Sequence, residues 1–250
     1  MKRILAVALV AMASGSAVAM AVGEAKAFMA EARARLLSAK SYHIEYTMTA
    51  MGIPTVSRCW IRRDAKKGVS VLNESQTMPF GFPMPKMTQM VSGGKVYVIS
   101  ALAPDRALHM SFSDGQVGDD VFCGFFTENG KVEPVSDTKD KCVIKFTPSA
   151  AELLQMNERA ASSVIQIPGG VPTSFRYTFR RPSKDICEVV GLNAKGEETL
   201  KVVVSKLELN ARIADAYFTL PKGCKVIDVK SAAEAAKALA GGLLPASTAK

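Results

Sequence analysis

The chain has 250 residues, 48% of them apolar, and carries 32 Lys and Arg against 23 Asp and Glu, a formal net charge of +9. That much apolar material excludes a disordered chain and is enough for one globular domain with a sizeable core. The basic residues are scattered, as in Arg33/Arg35, Arg62/Arg63, Lys66/Lys67 and Arg180/Arg181. They read as solvated faces, or as weak attraction to an anionic membrane surface, and not as a nucleic-acid patch.

Residues 1–19 read as a signal peptide. Lys2 and Arg3 give the positive start, 4–13 the apolar centre, and Ala17-Val18-Ala19 the small-residue cleavage site. The apolar run is short for a membrane span, so a retained anchor is the lesser alternative. Cutting near Ala19 removes two basic residues and leaves a charge of +7. No cysteine adjoins the cut to take a lipid. The mature chain is expected to be soluble, exported to the periplasm and monomeric.

Residues 24–39 are rich in Ala, Glu, Arg and Leu with no breaker. Phe28, Met29, Ala32, Arg35 and Leu36 fall near one face, which predicts a helix packed on something. Over 41–51, Tyr42, Ile44, Tyr46 and Met48 alternate with His43, Glu45, Thr47 and Thr49, a half-exposed strand. After Gly52-Ile53-Pro54, a strand over 55–63 sets Cys59 and Ile61 against Arg58, Trp60 and Arg62. A further strand spans 69–74. The segment 76–90 holds Met78, Phe80, Phe82, Met84, Met87 and Met90 among Pro79, Pro83 and Pro85. Prolines exclude a regular central strand, yet the stretch is too apolar for a solvated loop. It is expected to lie against apolar surface, as a loop packed over the core or as a mobile lid over a cavity.

A hairpin follows around Ser92-Gly93-Gly94-Lys95, and 101–118 reads as an irregular excursion. Strands are expected over 120–128, 131–136, 142–147 and 173–180, the last with Phe175, Tyr177 and Phe179 opposite Arg176, Thr178 and Arg180. Between the last two lies a short helix over 150–161, with Ser149 as N-cap and Glu152 at the capping-box position. Two runs, 186–192 and 198–209, flank Asn193-Ala194-Lys195-Gly196-Glu197, a hairpin signal. In the second, Leu200, Val202 and Val204 share one parity, while Leu207 and Leu209 continue on the other. That slip predicts a bulge in a curved sheet. The stretch 210–223 reads as a turn closing on a buried Phe218, and Ser231 can cap an Ala-rich helix over 232–240. The simplest fold class is α+β, mainly β: a curved antiparallel sheet forming an incomplete barrel closed by two or three helices.

Motifs for catalysis are missing from the sequence. His43 is expected to face solvent, and His109 lies in the irregular stretch. No nucleophile elbow, zinc motif or phosphate loop is found, and the five cysteines show no C-x-x-C. They suit either disulfides or small buried positions, and no pairing can be read. No enzyme, cofactor or metal is therefore expected, although a Cys/His pair such as Cys59 with His43 stays open. Tyr42, Ile44, Tyr46, Trp60, Tyr97, Phe175, Tyr177 and Phe179 are expected to line the concave face. They form either a filled core or a lipid-binding cavity, with Met78, Phe80, Phe82, Met84 and Met87 as its lid. Burying a chain of about 16 carbons at roughly 0.8 kcal/mol per methylene gives an upper bound near 12 kcal/mol, so apolar walls alone suffice to bind.

The order of these parts resembles the outer-membrane lipoprotein carrier (LolA/LolB-like) superfamily. The likeness rests on the first helix, the strand meander, Ser92-Gly93-Gly94-Lys95-Val96-Tyr97-Val98, and the close through Asn210, Ile213, Asp215, Phe218, Pro221, Gly223 and Val226. The resemblance implies a half-barrel over residues 20–229, with 230–250 a C-terminal helix and tail. It further implies a periplasmic carrier of lipid or lipoprotein acyl chains, with no cofactor and with membrane partner proteins. An envelope sensor binding a membrane-protein segment is the alternative. Carrier members gate the cavity with an arginine. Arg58, Arg62 and Arg63 occupy the corresponding region without matching it, so none receives that role.

Overall fold

A computed structural model describes residues 20–66, 68–110, 129–162 and 171–241. The expected signal peptide over 1–19, Lys67, the strand expected over 120–128 with its Cys123, and the tail beyond 241 lie outside the described residues.

Among the described residues twelve strands form one sheet: β1 Ser41–Ala50, β2 Ile53–Asp64, β3 Gly68–Thr77, β4 Met87–Ser92, β5 Lys95–Ser100, β6 Arg106–Met110, β7 Gly130–Asp137, β8 Lys141–Pro148, β9 Ser174–Arg180, β10 Ile186–Leu192, β11 Glu198–Leu209 and β12 Lys225–Val229. Their order is β12-β6-β5-β4-β3-β2-β1-β11-β10-β9-β8-β7, so the sheet stays open between β7 and β12. Among the described residues three helices accompany it, α1 Val22–Ser38, α2 Ala150–Ser162 and α3 Ala232–Gly241.

The alternation in β1 does what its pattern predicts: Tyr42, Ile44 and Tyr46 are buried on one face. Opposite them stand Leu209, Leu207 and Val204, with the register slipping between Glu45 and Tyr46. The extra residue turns Leu207 and Leu209 to the same side as Val204, Val202 and Leu200, so the phase change in β11 is a bulge that bends the sheet. Asn193 Oδ1 accepts from the Lys195 and Glu197 amides at 2.9 Å each, closing the β10–β11 hairpin.

Two strands depart from expectation. β6 lies inside the stretch read as irregular, and β12 follows the Pro/Gly stop. They pair in parallel, Lys225 with Arg106 through Val229 with Met110, so the sheet is antiparallel except at this edge. Local sequence conceals them because each is only five residues long, and β12 takes its partner from far along the chain.

The three helices pack on the concave side. α1 buries Ala25, Phe28, Met29, Ala32 and Leu36. Arg63 donates to the Leu36 and Ala39 carbonyls at 3.2 and 2.8 Å, satisfying the end of that helix. Ser149 Oγ accepts from the Glu152 amide at the start of α2, but the Glu152 carboxylate reaches the Asn129 amide at 3.1 Å, tying the helix to β7 instead of closing a capping box. Ser231 caps α3 through the Glu234 amide.

The convex side is covered over β3 and β4 by the segment between β11 and β12, which contains a 3-10 turn at Asp215–Phe218. Phe218 is buried, with the Arg62 guanidinium 4.7 Å over its ring. Arg62 also pairs with Asp215.

Candidate binding face

Six of the eight aromatic and aliphatic residues expected on the concave face are there, and all six are buried: Tyr42, Ile44, Tyr46, Phe175, Tyr177 and Phe179. β9 places three aromatic rings in a column, with Tyr177 6.1 Å from both Phe175 and Phe179. Cross-strand neighbours continue the surface, since Tyr177 faces Ile144 and Val189, and Phe175 faces Phe146 and Gly191. Gly191 fits because Pro172 fills its place: a Cβ there would stand 2.5 Å from the proline ring. Burial pushes the Tyr177 hydroxyl far above its ordinary pKa, with the Glu152 charge adding to the effect.

Trp60 and Tyr97 must be removed from this surface. Trp60 pairs with His43, and Tyr97 with Met90 and His109, a row that alternation puts on the convex side. There Trp60 stacks on His43 with centroids 4.9 Å apart and planes 7° apart, and touches Tyr217 at 5.2 Å. His43 is thus covered rather than solvent-facing, its side chain only 12% exposed. Burial, then the Lys206 charge, lowers its pKa. His109 has a role in the fold: its Nδ1 lies 2.6 Å from Asp228 Oδ1, linking β6 to β12. The two imidazoles sit with their own strand partners, and Cys59 faces Ile44 on the other side of the sheet from His43. That geometry removes the Cys59–His43 pair. Cys59, Cys142, Cys187 and Cys224 are free thiols. Among the described residues no group of three His, Cys, Asp or Glu side chains could hold a metal ion.

The roof over the greasy half is α1. Phe28 meets Phe179 edge-on at 5.4 Å, and Arg181 and Lys184 lie over the Phe28 ring. The outer side of the helix is tied down by Arg35 to Asp185 at 3.3 Å and by Lys184 to Glu31. Between helix and sheet a cavity of about 10 Å³ is lined by Ala32, Leu36, Phe179, Ile186, Leu207 and Leu209. A second, of about 30 Å³, lies between β5, β6, β12 and α3. Both are far below the roughly 300–1,000 Å³ of a ligand pocket, so in this conformation the apolar face is filled by the protein's own side chains.

Sequence reasoning missed the other half of the concave face. Strand pairing lays out rungs: Ile44-Cys59-Asn73-Gln89-Val98, then Tyr46-Ser57-Ser75-Met87-Ser100, then Met48-Thr55-Thr77. Toward the edge of the sheet where β2 starts and β3 ends, this surface turns from aliphatic to hydroxyl- and amide-bearing. Thr55 and Thr77 hydroxyls meet at 3.0 Å, and the Tyr46 hydroxyl bonds to Ser57. Asn73 is 5% exposed, and its Oδ1 has no hydrogen-bond partner. Burial drives Cys59 and Tyr46 each up to about 12, so both are neutral at physiological pH. The signal was available: Asn73, Ser75 and Thr77 share the parity of the buried Val71.

The segment expected to cover the core does the opposite. After β3, a 3-10 turn at Pro79–Gly81 holds Phe80 at φ +52°, a backbone region uncommon for a bulky side chain. Phe80 is 94% exposed, Phe82 76% and Met84 49%. Backbone bonds from Met78 to the Pro54 carbonyl and from Met84 to the Thr77 carbonyl fix the loop's base at the sheet edge, and Gln76 donates to the Met84 carbonyl. Met78 and Met87 are half-buried. The three exposed side chains form an apolar tip in solvent, not a lid in contact with the apolar face.

No protein-family model matches the sequence, and no curated protein matches it. Solved structures with a similar backbone path include LprF from Mycobacterium bovis, 11% identical, with 83% of this chain and 100% of that one covered and a TM-score of 0.48. Another is an outer membrane lipoprotein-sorting protein domain from Vibrio parahaemolyticus, 10% identical, covering 80% and 97%, with a TM-score of 0.38. A third is MucB in the Pseudomonas aeruginosa MucA/MucB complex, 13% identical, covering 82% of this chain and 64% of that chain, with a TM-score of 0.48. At these identities the likeness concerns backbone path, and no activity is carried over.

Proposed function

We propose that this chain is an exported, periplasmic binder of lipid or lipoprotein acyl chains, held on the apolar half of the concave face once α1 moves aside. The observation that carries this reading is the roof. One helix covers a continuous aromatic and aliphatic surface, and its outer side is held by ion pairs in contact with solvent, Arg35–Asp185 and Lys184–Glu31. Exposed pairs of this kind contribute about 0–1 kcal/mol each. Lifting α1 therefore breaks mainly apolar contacts, which an acyl chain replaces in kind. Tyr42, Ile44, Tyr46, Phe175, Tyr177 and Phe179 then become the walls. The apolar tip at Phe80, Phe82 and Met84 suits the membrane surface from which a chain is taken or to which it is given. Residues 1–19 act as the export signal in this reading.

The test is uptake of a fluorescent C16 acyl probe by delipidated protein, with and without a disulfide engineered between α1 and β9. Uptake by the unlocked protein that the lock abolishes is the expected result, and no uptake by the unlocked protein overturns the reading. The exposed tip also favours a second reading, a sensor or interaction module that grips a membrane-protein segment. One stoichiometric protein partner recovered without lipid, and lost in Phe80→Ser/Phe82→Ser, would select it.

A further inference from the structure

The concave face between β2 and β5 differs from the half under α1 in a way that an acyl chain alone does not explain. From the Ile44 rung to the sheet edge it carries Thr55, Ser57, Asn73, Ser75, Thr77, Gln89 and Ser100 on one side of the sheet. Several of these groups already have partners: Thr55 bonds to Thr77, Ser57 to Tyr46, and Ser100 accepts from the Leu102 amide. Asn73 is the exception. Its side-chain oxygen is buried in the middle of the surface without a donor. A buried acceptor left unmade is costly, and it calls for a partner such as a water or a ligand group.

Around Asn73 the surface is free of charge among the described residues. The inward positions of β1 to β5 hold no Asp, Glu or Lys; Arg63 sits at the opposite end with the α1 carbonyls, and Arg106 of β6 stands beyond Ser100 at the outer rim, beside Asp105. Glu74 and Arg58 are on the convex side of the same strands. A carboxylate or phosphate brought here would lose its hydration without meeting a counter-charge, and an ammonium group would fare no better. A hydroxyl group meets a different environment, because it donates to Asn73 and accepts from or donates to the Ser, Thr and Gln side chains around it.

We infer that this charge-free surface, centred on Asn73 with Ser75 and Gln89, is a subsite for an uncharged, hydroxyl-bearing head group attached to the acyl chain. The inference rests on the acyl-binding reading and adds which amphiphiles that site accepts. The apolar half and the polar half adjoin along β1, whose Tyr46 contributes its ring to one and its hydroxyl to the other. An amphiphile laid across β1 thus places its chain under α1 and its head over β3 and β4.

Binding of 1-monopalmitoylglycerol is measured against palmitate, the same chain with an anionic head, by displacement of a fluorescent acyl probe. The neutral diol is expected to bind at least tenfold more tightly. Asn73→Leu removes that preference and leaves palmitate affinity unchanged. Gln89→Leu, one strand away on the same rung, shifts the ratio in the same direction, so a folding defect in either variant alone does not mimic the result. Equal affinity for the two ligands in the unmodified protein, or a preference that survives both substitutions, overturns the subsite while leaving the acyl-binding reading intact. Failure of both ligands to bind overturns the acyl-binding reading and the subsite with it.

Discussion

On either side of β1, one sheet presents two kinds of inner surface. Under α1, β8 to β11 set Phe146, Phe175, Tyr177, Phe179, Val189 and Val202 against a helix, and hardly any space remains between them. Across β1, the inward positions of β2 to β4 become Ser, Thr, Asn and Gln. The first surface is closed by packing of apolar side chains under the helix. The second holds a buried amide oxygen without a partner at Asn73, on which the proposed head-group subsite rests.

Substitutions separate the two, beginning with the largest effect. Phe179→Ala removes a fully buried ring that touches Phe28 and should cost about 3–5 kcal/mol in denaturant unfolding. A loss below about 1 kcal/mol would mean the greasy half is not a packed core. Raising the pH tests the boundary strands. Cys59 and Tyr46 are held up to about 12 in the folded chain, above their ordinary 9.0 and 10.0. The unfolded chain therefore releases these protons first. Their contribution is fully present at neutral pH and falls as pH rises through about 9 toward 12, by upper bounds of about 4 kcal/mol for Cys59 and about 3 kcal/mol for Tyr46. Melting temperatures across pH 8–11 should decline, and Cys59→Ala should flatten the early part of that decline.

Gly191→Val forces a Cβ into the Pro172 ring and should destabilise by about 1–3 kcal/mol. Asn73→Leu goes the other way. Relief of the unmet oxygen should raise the free energy of unfolding by about 1 kcal/mol, and a clear loss of stability would show that the oxygen has a partner in solution. Phe80→Ser/Phe82→Ser should change stability by less than about 0.5 kcal/mol, since both rings are in solvent. The same variant should bind anionic phospholipid vesicles more weakly in a sedimentation assay.

Much of the architecture was legible because strand alternation is local. Tyr42-Ile44-Tyr46, Phe175-Tyr177-Phe179 and the parity slip after Val204 each announce their face from neighbouring residues alone. Trp60 and Tyr97 show where that legibility stops. Each is an aromatic on a strand of the curved sheet, but its parity sets it against Cys59 or Val96, so burial preference alone points to the wrong side. The segment 76–90 misleads for a related reason. Its composition suggests cover, yet Phe80 at positive φ and the bonds at the loop's base hold the rings away from the protein. β12 could not be seen at all, because its stabilising contact is with β6 across 119 residues, as in His109 with Asp228, and β6 offers only a five-residue run beside β5.

By itself the sequence determined the elements whose stability is written in short-range periodicity: the α1 face, the alternating strands, the hairpin at Asn193 and the bulge in β11. Only the tertiary structure decided which alternating rows share a surface, because that depends on cross-strand register. Register brought Asn73, Ser75 and Gln89 together, turned Trp60 and Tyr97 outward, and left the Phe80 tip with nothing to pack against.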